Sequence, residues 1–184
     1  MNINLTDLSK TVSHALRHEP DLYGLKIDKL GWVSVELLIE SLKVLKPVWS
    51  GLTVDHIEKM INLSKKKRHE LADNKIRALY GHSFSEKLIK NKTEPPEILY
   101  HGTSPKSARM IRSSGIKPCT RHFVHLSTER DTAKKVGLRK SKHPVILVVK
   151  AKQGYKEGLG FFKGSDDIWL SDEIPPEYII FPNE

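Results

Sequence analysis

The pattern of apolar residues changes in the middle of this 184-residue chain, and that change constrains the fold more than any other feature of the sequence. Before the polar segment Asn91–Pro96 the apolar residues recur at helical spacings, and after it they form short runs typical of β-strands. Two consecutive prolines end that segment and favour an extended linker. The sequence therefore predicts an α+β protein with two lobes, residues 1–93 and residues 94–184.

The first lobe is predicted to contain three helices and a hairpin. Apolar residues from Leu5 to Leu16 lie three and four positions apart, which predicts a first helix with one buried stripe. Ser34 and Thr53 are predicted to cap the second and third helices. Two short strand-like runs follow around the turn residues Asp73-Asn74. Three helices followed by a hairpin is the order of a winged helix, a fold often found on nucleic acids, although fold alone does not establish function.

The second lobe is predicted to be mostly β, with one or two helices. One helix, Pro105–Ser113, is predicted after the first strand. The predicted strands are 98–100, 123–126, 144–149, 168–170 and 178–181.

Charge and cysteine usage limit the class of protein. Lysine and arginine outnumber aspartate and glutamate by 31 to 22, a net charge of +9, which favours a polyanionic partner or simply a soluble basic protein. The single Cys119 cannot form an internal disulfide, and the start of the sequence has no secretory pattern. No run is apolar enough for a membrane helix. We therefore expect a cytoplasmic protein that does not enter a membrane.

Two segments of the first lobe contain candidate phosphate-binding residues. Arg17 and His18 lie at the end of the first helix, where they either complement the helix dipole or bind a phosphate. Arg77 is predicted on the polar face of a strand, which allows either a solvent-facing arginine or an anion site. The following His82 and Ser83 lie in a Gly-His-Ser turn that can meet an anion.

Other polar segments have a functional interpretation beside an ordinary structural one. His101-Gly102-Thr103 follows a strand and is either a turn or a ligand-binding strand end, where the glycine permits close approach of a flat ligand. The basic run containing Lys67 and Arg68 is either solvated or in contact with an RNA backbone.

Two further features are interpreted as structural. Cys119-x2-His122-x2-His125 does not have a zinc spacing, so we expect no metal. The three tryptophans, Trp32, Trp49 and Trp169, lie in apolar context and are predicted to be core residues.

Seven short motifs together resemble the RNA 2′-phosphotransferase family, whose yeast-type member finishes tRNA splicing. The resemblance extends from about Leu8 to Phe181. The motifs, in order, are LSKTVSHALRHEP, GWVSVELLI, KIRALYGHS, LYHGTS, VHLS, VGLR and IWLSDEIPPEYII. It implies an N-terminal winged-helix-like RNA lobe and a C-terminal ADP-ribosyltransferase-like lobe that binds NAD.

The resemblance also implies the roles of particular residues. The catalytic tetrad of the family corresponds to Arg17, His18, Arg77 and Arg139. The NAD-binding positions correspond to His101, Gly102, Thr103, His125 and Ser127, and Ile174 occupies the place of the glutamate found in many ADP-ribosyltransferases. Phosphate contacts are expected from His82, Ser83, Lys67 and Arg68.

Two positions depart from the family pattern. Where the family usually has Arg-His-Gly, this chain has Arg139-Lys140-Ser141 and is one residue longer, so the loop is expected to differ in shape. Tyr80 replaces the glutamine that usually precedes Gly-His-Ser.

The implied reaction requires NAD as a co-substrate and no metal. A tRNA-like RNA with an internal 2′-phosphate reacts through a phospho-ADP-ribosylated RNA to give nicotinamide, 2′-hydroxyl RNA and ADP-ribose 1″,2″-cyclic phosphate. We expect a monomer. Two alternatives remain: ADP-ribosyl transfer to another acceptor, either a nucleic-acid end or a protein, and a winged-helix nucleic-acid-binding protein without catalysis.

Overall fold

A computed structural model describes residues 3–182 of the chain. The chain forms two compact units, of which the first ends at Ile89 and the second begins at Lys90. Both units combine helices with an antiparallel sheet, so the predicted α+β class is confirmed. Within residues 3–182, no helix has both the length and the apolar character needed to cross a bilayer.

The helices of the first unit have the predicted positions and caps. They are α1 (Leu5–Arg17), α2 (Val35–Leu45) and α3 (Val54–Asn62). Ser34 accepts a hydrogen bond from the Leu37 N–H, which satisfies one donor at the start of α2. Thr53 precedes α3, and its own N–H donates to the imidazole of His56.

A three-stranded sheet completes the first unit. Its hairpin consists of β2 (His69–Ala72) and β3 (Lys75–Ala78), joined by Asp73 and Asn74, which have φ angles of 47° and 60°. Positive φ at both turn residues suits the right-handed twist of a hairpin, and aspartate and asparagine tolerate it well. A third strand, β1 (Val33–Ser34), pairs with β3 and gives the order β1-β3-β2. This two-residue strand has no recognisable sequence signal.

The apolar faces of these helices and of β3 form one core. Its fully buried members include Leu8, Leu16, Leu38, Ile57 and Ile76. The helical periodicity therefore predicted the buried face correctly, because the same stripe that repeats every three or four residues packs inward.

The second unit contains a six-stranded antiparallel sheet in the order β7-β8-β5-β4-β6-β9. The strands are β4 (Leu99–Thr103), β5 (Val124–Ser127), β6 (Val145–Val149), β7 (Phe161–Lys163), β8 (Ile168–Ser171) and β9 (Ile179–Ile180). Five of them correspond to predicted runs. Strand β7 was not predicted, because a three-residue run is too short to show alternation.

The second unit has more helices than the sequence predicted. They are α4 (Pro105–Ser114), α5 (Arg130–Gly137) and α6 (Ala151–Lys156). The expectation of one or two helices was wrong because α5 and α6 are short and bury mainly alanine and glycine. Helices this short, with small buried residues, give only a weak signal in the sequence.

The division between the units lies four residues earlier than the predicted boundary of 93. Residues immediately before the prolines already contact the second unit: the Thr93 N–H donates to the Phe161 carbonyl at 2.9 Å. The Lys92 ammonium likewise donates to the Gly158 carbonyl. These contacts join the polar segment to the second unit.

Candidate active site

In the first unit the fold brings the end of α1 beside the segment that follows β3. The N–H of Ser83 donates to the carbonyl oxygen of Arg17 at 2.8 Å. The Ser83 hydroxyl lies 2.8 Å from Nδ1 of His18. The two segments singled out in the sequence as phosphate-binding candidates are therefore adjacent, although 65 residues separate His18 from Ser83.

The side chain of Arg17 is fixed by its surroundings. Its Nη2 donates to the Arg68 carbonyl at 3.2 Å, and its guanidinium lies over the Tyr80 ring at 5.1 Å from the centroid. Gly81 lies against it with φ of +94°, a conformation that favours glycine, and a Cβ there would approach the Arg17 side chain to 3.4 Å. Tyr80, which replaces the usual glutamine, thus has a definite contact in this chain.

Arg77 lies on the outer face of the hairpin, as strand alternation predicted. Its Nε donates to Glu70 at 2.7 Å and its Nη2 lies 2.6 Å from the same carboxylate oxygen. Its guanidinium also stacks on Trp32, 4.3 Å from the ring centroid. Trp32 is only half-buried, so its prediction as a core residue was wrong. Trp49 and Trp169 are buried, as predicted.

A buried histidine, His69 of β2, contacts helix α1 in the first unit. His69 is 3% exposed, and its Nε2 lies 3.1 Å from the Ser13 hydroxyl on α1. Burial, together with the positive charges of Arg17 and Arg68, lowers the pKa of His69 to about 3. His69 is therefore neutral at physiological pH. The sequence analysis missed it, because a single histidine on a strand has no distinguishing pattern.

The other phosphate-contact candidates of the first unit have different degrees of exposure. Lys67 and Ser83 are exposed, and Arg68 is half-buried with Nη1 donating to the Ser64 hydroxyl. His82 is 2% exposed, and its ring packs edge-on against Phe84. His82 is therefore largely enclosed, and its role as a phosphate contact stays a prediction.

In the second unit, His101 and His125 lie on the neighbouring strands β4 and β5. Nδ1 of His101 lies 3.0 Å from the His125 carbonyl oxygen, which can only accept, so Nδ1 carries the proton. Burial holds the pKa of His101 below its usual value and the Lys140 ammonium also lowers it, whereas the hydrogen bond to His125 acts in the opposite direction. The neutral ring therefore presents Nε2 as an acceptor. Nδ1 of His125 lies 3.0 Å from the Phe123 carbonyl.

Gly102 is required by packing within the protein. A Cβ at this position would lie 1.8 Å from the carbonyl oxygen of Ala133 in α5. That side of the strand is therefore occupied by a helix and has no room for a flat ligand, which differs from the reason the sequence suggested for this glycine. The flanking Thr103 is 2% exposed, and Ser127 on β5 is 4% exposed.

The remaining two candidates of the second unit lie in contrasting environments. Arg139 is exposed, in a turn after α5 where its N–H donates to the Val136 carbonyl. Helix α5 ends at Gly137, two residues before Arg139. Ile174 is fully buried in the core and pairs with Ile116. Its assignment to the NAD site stays a prediction.

Comparison with known proteins identifies the family. A family model described as "RNA 2′-phosphotransferase, Tpt1 / KptA family" matches residues 4–173. The chain belongs to the RNA 2′-phosphotransferase family. A "Probable RNA 2′-phosphotransferase" of Bacillus thuringiensis is 49% identical over 174 residues, 95% of this chain and 94% of the relative. One of Acetivibrio thermocellus is 44% identical over 179 residues, 97% of this chain and 98% of the relative.

An archaeal relative extends the family beyond bacteria. The "Probable RNA 2′-phosphotransferase 1" of Archaeoglobus fulgidus is 37% identical over 172 residues, 94% of this chain and 78% of the relative. The resemblance is thus confirmed, and these relatives cover 94–97% of this chain. All the candidate residues except Ile174 lie within the region that the RNA 2′-phosphotransferase model matches.

Membership of the family directs attention to the Arg17–His18–Ser83 cluster. A guanidinium keeps its charge and presents several donors in one plane, which matches phosphate oxygens. Imidazole gains and loses a proton near neutral pH. Among residues 3–182, no group of three or more histidine, cysteine, aspartate or glutamate side chains lies close enough to hold a metal ion.

Proposed function

We propose that this protein transfers an internal 2′-phosphate of RNA to the ADP-ribose moiety of NAD. The observation that carries the proposal is the contact of Ser83 with the Arg17 carbonyl and with the His18 ring, while the Arg68 carbonyl and Tyr80 hold the Arg17 guanidinium, in a chain of the RNA 2′-phosphotransferase family. An RNA 2′-phosphate is a dianionic group at neutral pH, and the cluster offers a permanent cation, a titratable ring and a hydroxyl.

Arg17 is proposed to bind and orient the phosphate. Its Nη2 contact with the Arg68 carbonyl and its stacking on Tyr80 restrict its conformations before the substrate arrives. A group that is already ordered loses less conformational entropy when it binds, and it provides charge where the transition state needs it. Arg77 is proposed as a second phosphate ligand. Its guanidinium is already paired with the Glu70 carboxylate, so a bound phosphate would share the guanidinium with Glu70.

His18 is proposed to transfer a proton. In the overall reaction the bonds that break join nicotinamide to ribose C1″ and phosphorus to the RNA 2′-oxygen. The bonds that form join C1″ to a phosphate oxygen and the ribose O2″ to phosphorus. The O2″ proton ends on the RNA 2′-hydroxyl, and the products are nicotinamide, dephosphorylated RNA and ADP-ribose 1″,2″-cyclic phosphate. His18 is suited to this proton, since Ser83 fixes the orientation of its ring.

Polar groups of the second unit support NAD as the proposed co-substrate. NAD supplies an ADP-ribosyl group that reacts at C1″ when nicotinamide leaves. The neutral His101 ring presents an acceptor, and Thr103 and Ser127 provide hydroxyls on the same pair of strands. Arg139 and Lys140 provide positive charge in the exposed turn after α5 for the pyrophosphate or the transferred phosphate.

We also infer the finer fold class from the order of the elements. In the first unit three helices precede a hairpin, and β3 pairs back to β1, an order that supports a winged-helix-like lobe. In the second unit an antiparallel sheet with short peripheral helices supports an ADP-ribosyltransferase-like lobe.

The test is a reaction between NAD and a synthetic RNA that carries one internal 2′-phosphate. We expect release of nicotinamide and RNA with a free 2′-hydroxyl, in equal amounts and only when NAD is present. A stable ADP-ribosylated product would instead identify an ADP-ribosyltransferase for another acceptor. RNA binding without nicotinamide release would identify a nucleic-acid-binding protein.

An Arg17→Ala variant tests the site itself. Removing one preorganised donor to developing charge usually lowers kcat by about 10²–10³-fold, and we expect a loss of at least this size. Arg109→Ala is the matched control, because Arg109 is an exposed arginine on α4 and is not a site candidate. Full activity of the Arg17→Ala variant, with a normal circular dichroism spectrum, would contradict the assignment.

A further inference from the structure

A cleft of about 530 Å³ opens in the first unit between α1 and the end of α3. It lies outside the cluster of Arg17 and Ser83, but His18 lines it as well. Its polar lining includes Ser9, Lys10, Ser13, Ser64, Lys65 and Arg68. Leu5, Met60 and Leu63 contribute an apolar strip.

The charge of the cleft has one sign. Among the described residues that line it, the ionisable ones are lysine, arginine and histidine, and none is a carboxylate. Lys10 and Lys65 are exposed, and neither forms a salt bridge with a residue of the described chain. By contrast, Lys46, whose ammonium lies near the other side of α1, is paired with Asp7 at 3.2 Å. The two cleft lysines therefore carry charge that an anionic ligand can neutralise.

The hydroxyl groups of the cleft have fixed positions. The Ser13 hydroxyl lies 3.1 Å from the buried His69. The Ser64 hydroxyl donates to the Lys66 carbonyl and accepts from Arg68 Nη1 at 3.2 Å. Because the Ser64 proton is already donated to the Lys66 carbonyl, the ammonium groups of Lys10 and Lys65 are the main donors that the cleft offers to phosphate oxygens.

The cleft is continuous with the candidate phosphate site. His18 belongs to both, because it lines the cleft and contacts Ser83. Lys10 lies eight residues before His18, which corresponds to about 12 Å along a helix axis. Neighbouring phosphates of one strand lie closer together than this, about 3.4 Å apart along the axis of a duplex. The distance from Lys10 to His18 is therefore long enough for more than one phosphate. A strand bound at His18 can therefore extend along the cleft.

We propose that this cleft binds the phosphodiester backbone of the nucleotides that flank the 2′-phosphorylated one, with Lys10 and Lys65 on flanking phosphates. The proposal rests on the proposed function and adds where the rest of the RNA binds. The contacts are to phosphates, so they favour longer substrates without reading base sequence.

The experiment compares a 2′-phosphorylated dinucleotide with an octanucleotide that has the same phosphorylated residue in its centre. For the octanucleotide, a Lys10→Ala/Lys65→Ala variant is expected to raise KM about 10-fold at unchanged kcat. The slope of log KM against log salt concentration is expected to decrease by about 1.4, because the variant loses two phosphate contacts to a single strand. Turnover of the dinucleotide is expected to stay within about twofold of the native value.

A matched control carries the same change in net charge. Lys26→Ala/Lys66→Ala removes two exposed lysines that do not line the cleft, one of them adjacent to Lys65. We expect it to resemble the native protein with both substrates. The charge-retaining variant Lys10→Arg/Lys65→Arg is expected to restore the octanucleotide KM.

Direct binding separates this proposal from the proposed function. Fluorescence anisotropy with a labelled octanucleotide, without NAD, should show about 10-fold weaker binding for Lys10→Ala/Lys65→Ala than for its control. This result would support RNA binding in the cleft even if the protein showed no turnover. Absence of turnover would contradict only the proposed function. Equal binding by the two double variants, or equal losses with both substrates, would overturn the cleft proposal.

Discussion

Replacing Gly102 with alanine tests whether this residue serves packing or a ligand. The new methyl carbon would lie 1.8 Å from the Ala133 carbonyl oxygen, whereas a relaxed C···O contact is about 3.3–3.6 Å. Strand β4 or helix α5 must therefore move by about 1.5 Å, estimated from that difference. The φ of Gly102 lies outside the left-handed region, so alanine adopts it without backbone strain and the steric contact alone is tested.

The structure also sets the size of the effect. Overpacking a core usually costs about 1–3 kcal/mol. We expect about 3 kcal/mol here, the upper end, because both contacting groups are backbone and neither can change rotamer. For a unit of this size each kcal/mol lowers the Tm by roughly 4–8 °C, so a decrease of roughly 10–25 °C is expected for the second unit.

Differential scanning calorimetry measures this change, and isothermal titration with NAD measures ligand binding beside it. Gly51→Ala is the control, because a Cβ there meets no atom within 4 Å. A Gly102→Ala protein that melts within about 2 °C of the native one but no longer binds NAD would refute the packing explanation. It would show that the glycine is needed for a ligand.

Two further predictions concern residues of the first unit. Ser83→Ala should lower kcat about 10-fold, because His18 loses the hydroxyl that lies 2.8 Å from its Nδ1, and kinetics with the 2′-phosphorylated RNA measure this. His69→Gln should change the pH dependence of the free energy of unfolding. In the native protein the unfolded state takes up a proton below pH 6.5, whereas folded His69 does so only near pH 3, so its contribution is present above 6.5 and is lost as the pH falls towards 3. Between pH 7 and pH 5 this amounts to about 2 kcal/mol, which should be absent from the variant in urea titrations.

Each of these predictions has a discriminating control. Ser83→Thr keeps the hydroxyl and should restore most of the activity, and its pH profile should match the native one. If Ser83→Ala and Ser83→Thr are equally impaired, the hydroxyl does not position His18. For His69, the same decrease in stability from pH 7 to pH 5 in the native protein and the glutamine variant would mean that another group titrates.

Much of the first unit could be predicted because its signals are local. The stripe of α1, the caps at Ser34 and Thr53, and the Asp73-Asn74 turn each depend on residues a few positions apart. The second unit was less predictable, since α5 has eight residues and buries only Ala133 and Gly137, which leave a weak apolar signal. Gly102 is required because α5 lies very close to β4, and no local sequence pattern indicates that contact.

The candidate site divides in the same way. Sequence motifs identified Arg17, His18 and Ser83, but their proximity depends on contacts that span 51 to 66 residues of chain. Burial is a second property that the motifs did not give: His82 and Ile174 have motif-based roles, and the fold encloses both. A motif gives the type of residue and its order, whereas exposure depends on what packs against it.

The amino-acid sequence by itself determined the α+β class, the change from helices to strands, the family and the identity of the candidate residues. The tertiary structure alone decided that Tyr80 and the Arg68 carbonyl fix Arg17, that His69 is buried and neutral beside Ser13, and that a cationic cleft runs along α1. The physical reason is one of range. Periodicity, capping and turn preference act between neighbours in the chain, whereas burial, pKa shifts and clefts arise from groups that only folding brings together.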